Sequence, residues 1–132
     1  MEKDDLSTHI SHAFNDDLTR IRSLILDMGH MVEQQIGAAV KALAAGDVRL
    51  AHQVEVEDYQ VDHLELAIDN ECSQLIVRRQ PTAMDLRYVL AVIKITSDLE
   101  RIGDHAKNVS EQVFYFVEGM DVRHVTPVPA PA

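Results

Sequence analysis

From Phe14 onward the apolar residues Leu18, Ile21, Ile25, Met28, Val32, Ile36, Ala39 and Leu43 recur at alternating steps of three and four. Among regular structures only an α-helix face has that period. Held over some thirty residues, it predicts one helix about 45–50 Å long. Chain breakers are scarce: 5 Gly and 4 Pro occur in 132 residues, and three of the Pro lie beyond residue 126. Long helices fit this distribution better than strands. Gly46 offers a helix stop and Asp47 an N-cap for the next helix, a turn so short that the two helices must run antiparallel.

The second helix carries Leu50, Val54, Val61, Leu64, Ile68, Cys72 and Leu75 on one stripe and is expected to end near Arg79, ahead of Pro81. Thr82 and Asp85 form a start resembling a capping box, with Asp in place of the usual Glu or Gln. The third stripe reads Met84, Tyr88, Ala91, Ile95, Leu99, Ile102, Ala106, Val109, Val113 and Phe116. Leu86, Val89 and Ile93 give this helix a second apolar face, which must pack on both partner helices or on another module, and which suggests self-association into a homo-oligomer. The expected fold is all-α, an antiparallel up-down-up three-helix bundle over residues 9–118. Residues 1–8 are expected as a flexible head. Residues 119–132, ending VTPVPAPA, have the composition of a linker-like tail.

With 12 Lys+Arg against 22 Asp+Glu the net charge is −10, which disfavours a nucleic-acid partner. The single cysteine, Cys72, lies on a core stripe and reads as a small reduced core residue, which suits the cytoplasm. No apolar run approaches the roughly 20 residues of a membrane span. The opening MEKDDLSTHI is charged where a signal peptide needs an apolar stretch. These features predict a soluble intracellular chain.

The acids carry the most chemistry. Glu55, Glu57, Asp58, Asp62, Glu65, Asp69 and Glu71 crowd the second helix, and Asp58, Asp62, Glu65 and Asp69 form a row along the edge of its stripe. Like charges at i,i+4 cost a helix a few tenths of a kcal/mol per pair, about 0.2–0.5, which a cation would remove. Glu100 and Asp104 repeat the spacing on the third helix. Such a pair aims two oxygen donors at one place, as Mg²⁺, Mn²⁺, Ca²⁺ or iron prefer. From spacing alone, a solvated acidic face on a metal-free helical scaffold stands beside this reading.

Residues 98–111, DLERIGDHAKNVSE, are more specific. With IVRRQPTAMDLRYVLAVIKITSDLERIGDHAKNVSE over residues 76–111 and the opening HISHAFNDDLTRIRSLILDMGHMVEQQI, the chain closely resembles the PhoU family of bacterial phosphate-uptake regulators. The resemblance spans residues 9–118, about one of the family's two tandem three-helix repeats. It implies that the E(D)xxxD motifs at Asp58–Asp62 and Glu100–Asp104 bind a metal cluster (iron, manganese, zinc or magnesium), with Glu65 and Asn108 as outer ligands. It further implies a non-enzymatic negative regulator of phosphate uptake and phosphate-starvation signalling. Such an adaptor would join the phosphate ABC transporter to a sensor histidine kinase, cytoplasmic and peripheral to the inner membrane through its partners.

Other residues point to structure rather than chemistry. Asp27 and His30 make one D-x-x-H, but no E-x-x-H occurs, as a carboxylate-bridged di-iron enzyme would need. His30, His63 and His105 read as neighbours rather than ligands. Arg78 and Arg79 suit a helix C-terminus, and Phe114, Tyr115 and Phe116 read as core or interface. No phosphate loop or nucleophile motif is present.

Overall fold

The computed structural model describes residues 2–125, with side chains described over residues 12–119. Its elements are α1 (Glu2–Ala45), α2 (Val48–Arg79) and α3 (Ala83–Val125), of 44, 32 and 43 residues. Each helix packs on both others, giving the expected up-down-up bundle with no strand among the described residues. Helix is continuous through residues 2–8 and 119–125, in the segments expected as head and tail. Met1 and residues 126–132, most of the VTPVPAPA run, lie outside the described residues.

Both turns follow from local chemistry. Gly46 takes φ +63, the left-handed conformation that closes a helix, and Asp47 N–H donates to Ala42 O at 2.9 Å. Asp47 then caps α2, its Oδ1 accepting from Leu50 N–H at 3.0 Å. At the other end Gln80 closes α2 in the left-handed conformation, φ 44, its N–H donating to Ile76 O at 3.1 Å, and Pro81 follows. Thr82 Oγ1 accepts from Asp85 N–H at 3.4 Å and donates to Asp85 Oδ2 at 3.1 Å, opening α3. Arg79 is structural: its Nε–H donates at 3.1 Å to the buried Asp17 of α1, which Arg20 also bridges. Arg78 donates to Gln74 within its own helix.

The core divides in two. The larger cluster joins Phe14, Ile21, Met28 and Val32 of α1 to Val61, Ile68, Cys72 and Leu75 of α2 and Val89 and Val92 of α3. A small one, Ala42, Ala51 and Val113, lies toward the Gly46 turn. Between them lie the buried polar residues Gln35 and Asp58 and the bare Gly103, among the mostly small Ala39, Val54 and Ala106.

Three expectations change. On α1 the inward row beyond Val32 is Gln35, Ala39 and Ala42, so Ile36 and Leu43 lie exposed. On α3 the expected stripe turns inward only at Leu99, Ala106 and Val113, and the face expected to be secondary supplies core residues over the first half of the helix. Val89 is buried with Val92, Thr96, Gly103, Ala106, Ser110 and Val113, and Ile93 packs beside them. Met84, Tyr88, Ile95, Ile102, Val109 and Phe116 are exposed instead. The reason is volume: a helix seated between two others needs small side chains where backbones approach, and Gly103, Ala106 and Ser110 supply them. Thr96 satisfies its own hydroxyl on Val92 O at 2.8 Å. Val89 and Ile93 of the second face therefore pack within the bundle, and Leu86 is half-buried beside them. Phe114, Tyr115 and Phe116 are exposed and do not enter the core.

Candidate metal centre

Asp58 lies in the packed seam of α2, not along its edge, between Val54 and Val61 and 3% exposed. One turn on, a residue at i+4 has rotated by about 40°, which carries Asp62 out to the surface. Antiparallel α3 then brings Asp104 alongside both. Oxygens of Asp58, Asp62 and Asp104 lie within 4.8 Å of one another. A cation with ligands at about 2.1 Å spans about 4.2 Å between opposite oxygens, so these three carboxylates are close to a closed set.

Glu100 is not one of the three convergent carboxylates but is electrostatically tied to them. Its carboxyl is pushed up to about 7, first by burial, then by a hydrogen bond to Asp104 and by the charges of Asp104, Glu65 and Asp62. In its protonated form it is the donor that lets adjacent carboxylates coexist. Asp62 is raised as well, by partial desolvation and then by Asp58 and Asp104, with Lys107 opposing. Glu65, half-buried, is raised by burial and by Asp69, Asp62 and Asp104, which places it at the flank of the cluster. Asn108 is exposed and makes none of the site's hydrogen bonds. The candidate donors are all oxygen and strongly anionic, the chemistry that hard divalent cations prefer.

Gln35 escapes a reading based on acids alone. Its Nε2–H donates to Asp58 Oδ1 at 2.8 Å in the buried seam, while its Oε1 is buried without a partner. Gly103 makes room for this pair. The signal was present in the sequence as a glutamine in phase with Met28, Val32 and Ala39. The histidines stay outside. His30, His63 and His105 are exposed, and His63 packs edge-on against Tyr59. Cys72 is fully buried, and its thiol is pushed up to about 11 by burial, then by Asp69 and Glu71.

A three-helix bundle with convergent carboxylates on two antiparallel helices defines a class of candidate cation-binding helical proteins. Comparison with known sequences narrows that class. Residues 25–113 match the PhoU domain. The phosphate-specific transport system accessory protein PhoU homolog of Pseudomonas aeruginosa is 42% identical over 95% of this chain and 54% of its own length. The PhoU accessory protein of Escherichia coli is 44% identical over 83% of this chain and 45% of its own. The crystal structure of PhoU from Pseudomonas aeruginosa superposes with a TM-score of 0.78 at 42% identity, covering 84% of this chain and 56% of that one. The Streptococcus pneumoniae phosphate transport system regulatory protein PhoU gives a TM-score of 0.72 at 30% identity, covering 76% and 48%. The chain belongs to the PhoU family. It spans about half the length of the curated relatives it matches.

Proposed function

We propose that this chain is a cation-binding regulatory module of a phosphate-transport system, acting by binding rather than by turnover. The relatives named as accessory proteins of phosphate-specific transport support the system, and the convergence of Asp58, Asp62 and Asp104 supports the cation. In the finer reading, Asp58, Asp62, Glu100 and Asp104 are the ligands and Glu65 an outer one. The group held is a divalent or transition-metal cluster of iron, manganese, zinc or magnesium. Held by these residues, such a group would supply positive charge that offsets the mutual repulsion of the acids and favours the ionised form of Glu100. The chain's own residues then present α2 and α3 as one rigid surface to a partner. The proposed partners are the phosphate ABC transporter and a sensor histidine kinase, and the proposed effect is negative regulation of phosphate uptake and of the starvation response. No helix among the described residues is long and apolar enough to cross a membrane, so membrane association would run through those partners.

The observation that carries this reading is the placement of three carboxylate oxygens within 4.8 Å on a PhoU bundle. Its test is elemental analysis of the purified chain beside a variant with Asp58, Asp62, Glu100 and Asp104 changed to Ala, followed by complementation in cells lacking the endogenous regulator. Metal that disappears with the variant, together with lost repression, supports both halves. A chain that holds no metal after dialysis against iron, manganese, zinc and magnesium leaves the other reading, a metal-free helical interaction module. The exposed Tyr88, Ile95, Ile102 and Val109 stripe favours that second reading.

A further inference from the structure

We infer that Gln35 of α1 is a positioning residue for the carboxylate site, orienting Asp58 for a cation and tying the site to the third helix. The inference rests on the cation reading proposed above and concerns a residue outside both acidic motifs. Asp58 is buried, yet no lysine or arginine bridges it among the described residues, and its hydrogen bond comes from the neutral Gln35 amide at 2.8 Å. A buried carboxylate held only by a neutral donor is costly. Gln35 adds to that cost: it is 6% exposed, interrupts an apolar row, and leaves Oε1 buried without a partner. Packing alone would be better served by Leu or Met at this position.

Both costs have a purpose if Asp58 has a second, cationic partner. The Nε2–H···Oδ1 bond then fixes the plane of the carboxylate, and its remaining lone pairs face the cation. Outer-shell donors of this kind set ligand orientation at metal sites generally. Gly103 completes the arrangement from α3. A Cβ there would lie 2.9 Å from Gln35 Oε1 and 3.5 Å from Asp58 Oδ1, so a methyl group at this position would press on the end of the Gln35 amide while it holds the carboxylate. A cation on α2 and α3 is thereby mechanically linked to α1.

The experiment is calorimetric titration of Mn²⁺ alone into the metal-stripped chain, as wild type, Gln35→Met and Gly103→Ala, beside the thermal midpoint of each metal-free protein. Gln35→Met keeps the volume and removes the donor. It is expected to weaken Mn²⁺ binding by about 10–100-fold and to lower the metal-free midpoint, because the buried Asp58 carboxylate loses its hydrogen-bond donor. Gly103→Ala, which displaces the amide from the opposite side, should weaken binding in the same direction. Affinities within about threefold of wild type in both variants would overturn the inference, since an outer-shell donor is worth more than that. So would a Gln35→Met protein with a lowered metal-free midpoint and unchanged affinity, the signature of a packing role. A wild-type chain that fails to bind millimolar Mn²⁺ removes the underlying cation reading and this inference with it.

Discussion

Gly103 of α3 faces the end of the Gln35 side chain of α1 with no room for a methyl group between them, since a Cβ would stand 2.9 Å from Oε1. A methyl group there would push on the amide that donates to Asp58 at 2.8 Å.

Replacing Gly103 by Ala therefore sets two terms against each other. Helix propensity gains about 1 kcal/mol, and displacing a buried hydrogen-bonded pair costs about 1–3 kcal/mol. The expected outcome is a net loss of about 1 kcal/mol in urea unfolding of the metal-free protein. In a Gln35→Ala background the space is open, and the same change should become stabilising by up to about 1 kcal/mol. Equal effects in the two backgrounds would contradict the contact.

The raised carboxyl of Glu100 gives the metal-free protein a pH dependence of definite sign. Between its ordinary value of 4.5 and about 7 the native state keeps the proton that the unfolded chain has lost. Stability is therefore fully present below the ordinary value and falls as pH rises through about 7. Asp62 and Glu65, also raised, act in the same direction. Allowing for solvent screening, Glu100 contributes a decline of about 1–2 kcal/mol, measurable as a falling thermal midpoint across the interval. A midpoint that rises over the same range would show that the acids are not crowded.

The phase of α3 is testable with two substitutions on one helix. Val89→Asn places an unpaired amide in the larger core cluster and should cost about 2–4 kcal/mol. Ile95→Gln, at an exposed position, should stay within about 0.5 kcal/mol of wild type. Chemical denaturation of both variants decides the matter, and the reverse ranking would restore the face that periodicity alone suggests.

Cys72 combines full burial with a thiol pushed up to about 11. Iodoacetamide at about pH 8 should leave the folded chain unmodified and label it once urea exposes the thiol. Labelling of the native protein at the unfolded rate would mean that the α2 core face opens readily.

How far the sequence could be read follows from where its signals were single. Breaker placement and capping chemistry fix three helices, the turn at Gly46 and Asp47, and the stop before Pro81, because glycine tolerates the left-handed closing residue, aspartate caps the next helix and proline cannot continue one. The acidic motifs single out Asp58, Asp62, Glu100 and Asp104 because their i,i+4 spacing survives any rotation of the helices, and the fold brings Asp58, Asp62 and Asp104 of these together. What is ambiguous is rotation itself. With Leu86, Val89 and Ile93 on one side of α3 and Tyr88, Ile95 and Ile102 on the other, both faces are apolar. The small Gly103 and Ser110, not hydrophobicity, decide which turns inward. Gln35 is hidden for a related reason: its role depends on Asp58 lying in the seam, a fact about how two helices are rotated against each other.

The layer of Gln35, Asp58 and Gly103 separates a large apolar cluster from one built around Ala42, Ala51 and Val113. Alanines bury little surface, so the end near Gly46 holds the smaller share of the cooperative free energy. Amide hydrogen exchange should accordingly divide the bundle at its polar waist. Backbone amides near Ala42 and Ala51 would exchange through partial opening, while those around Met28 and Ile68 would wait for global unfolding. The bundle is then two unequal folding units in series, and what happens at its waist governs whether they move as one.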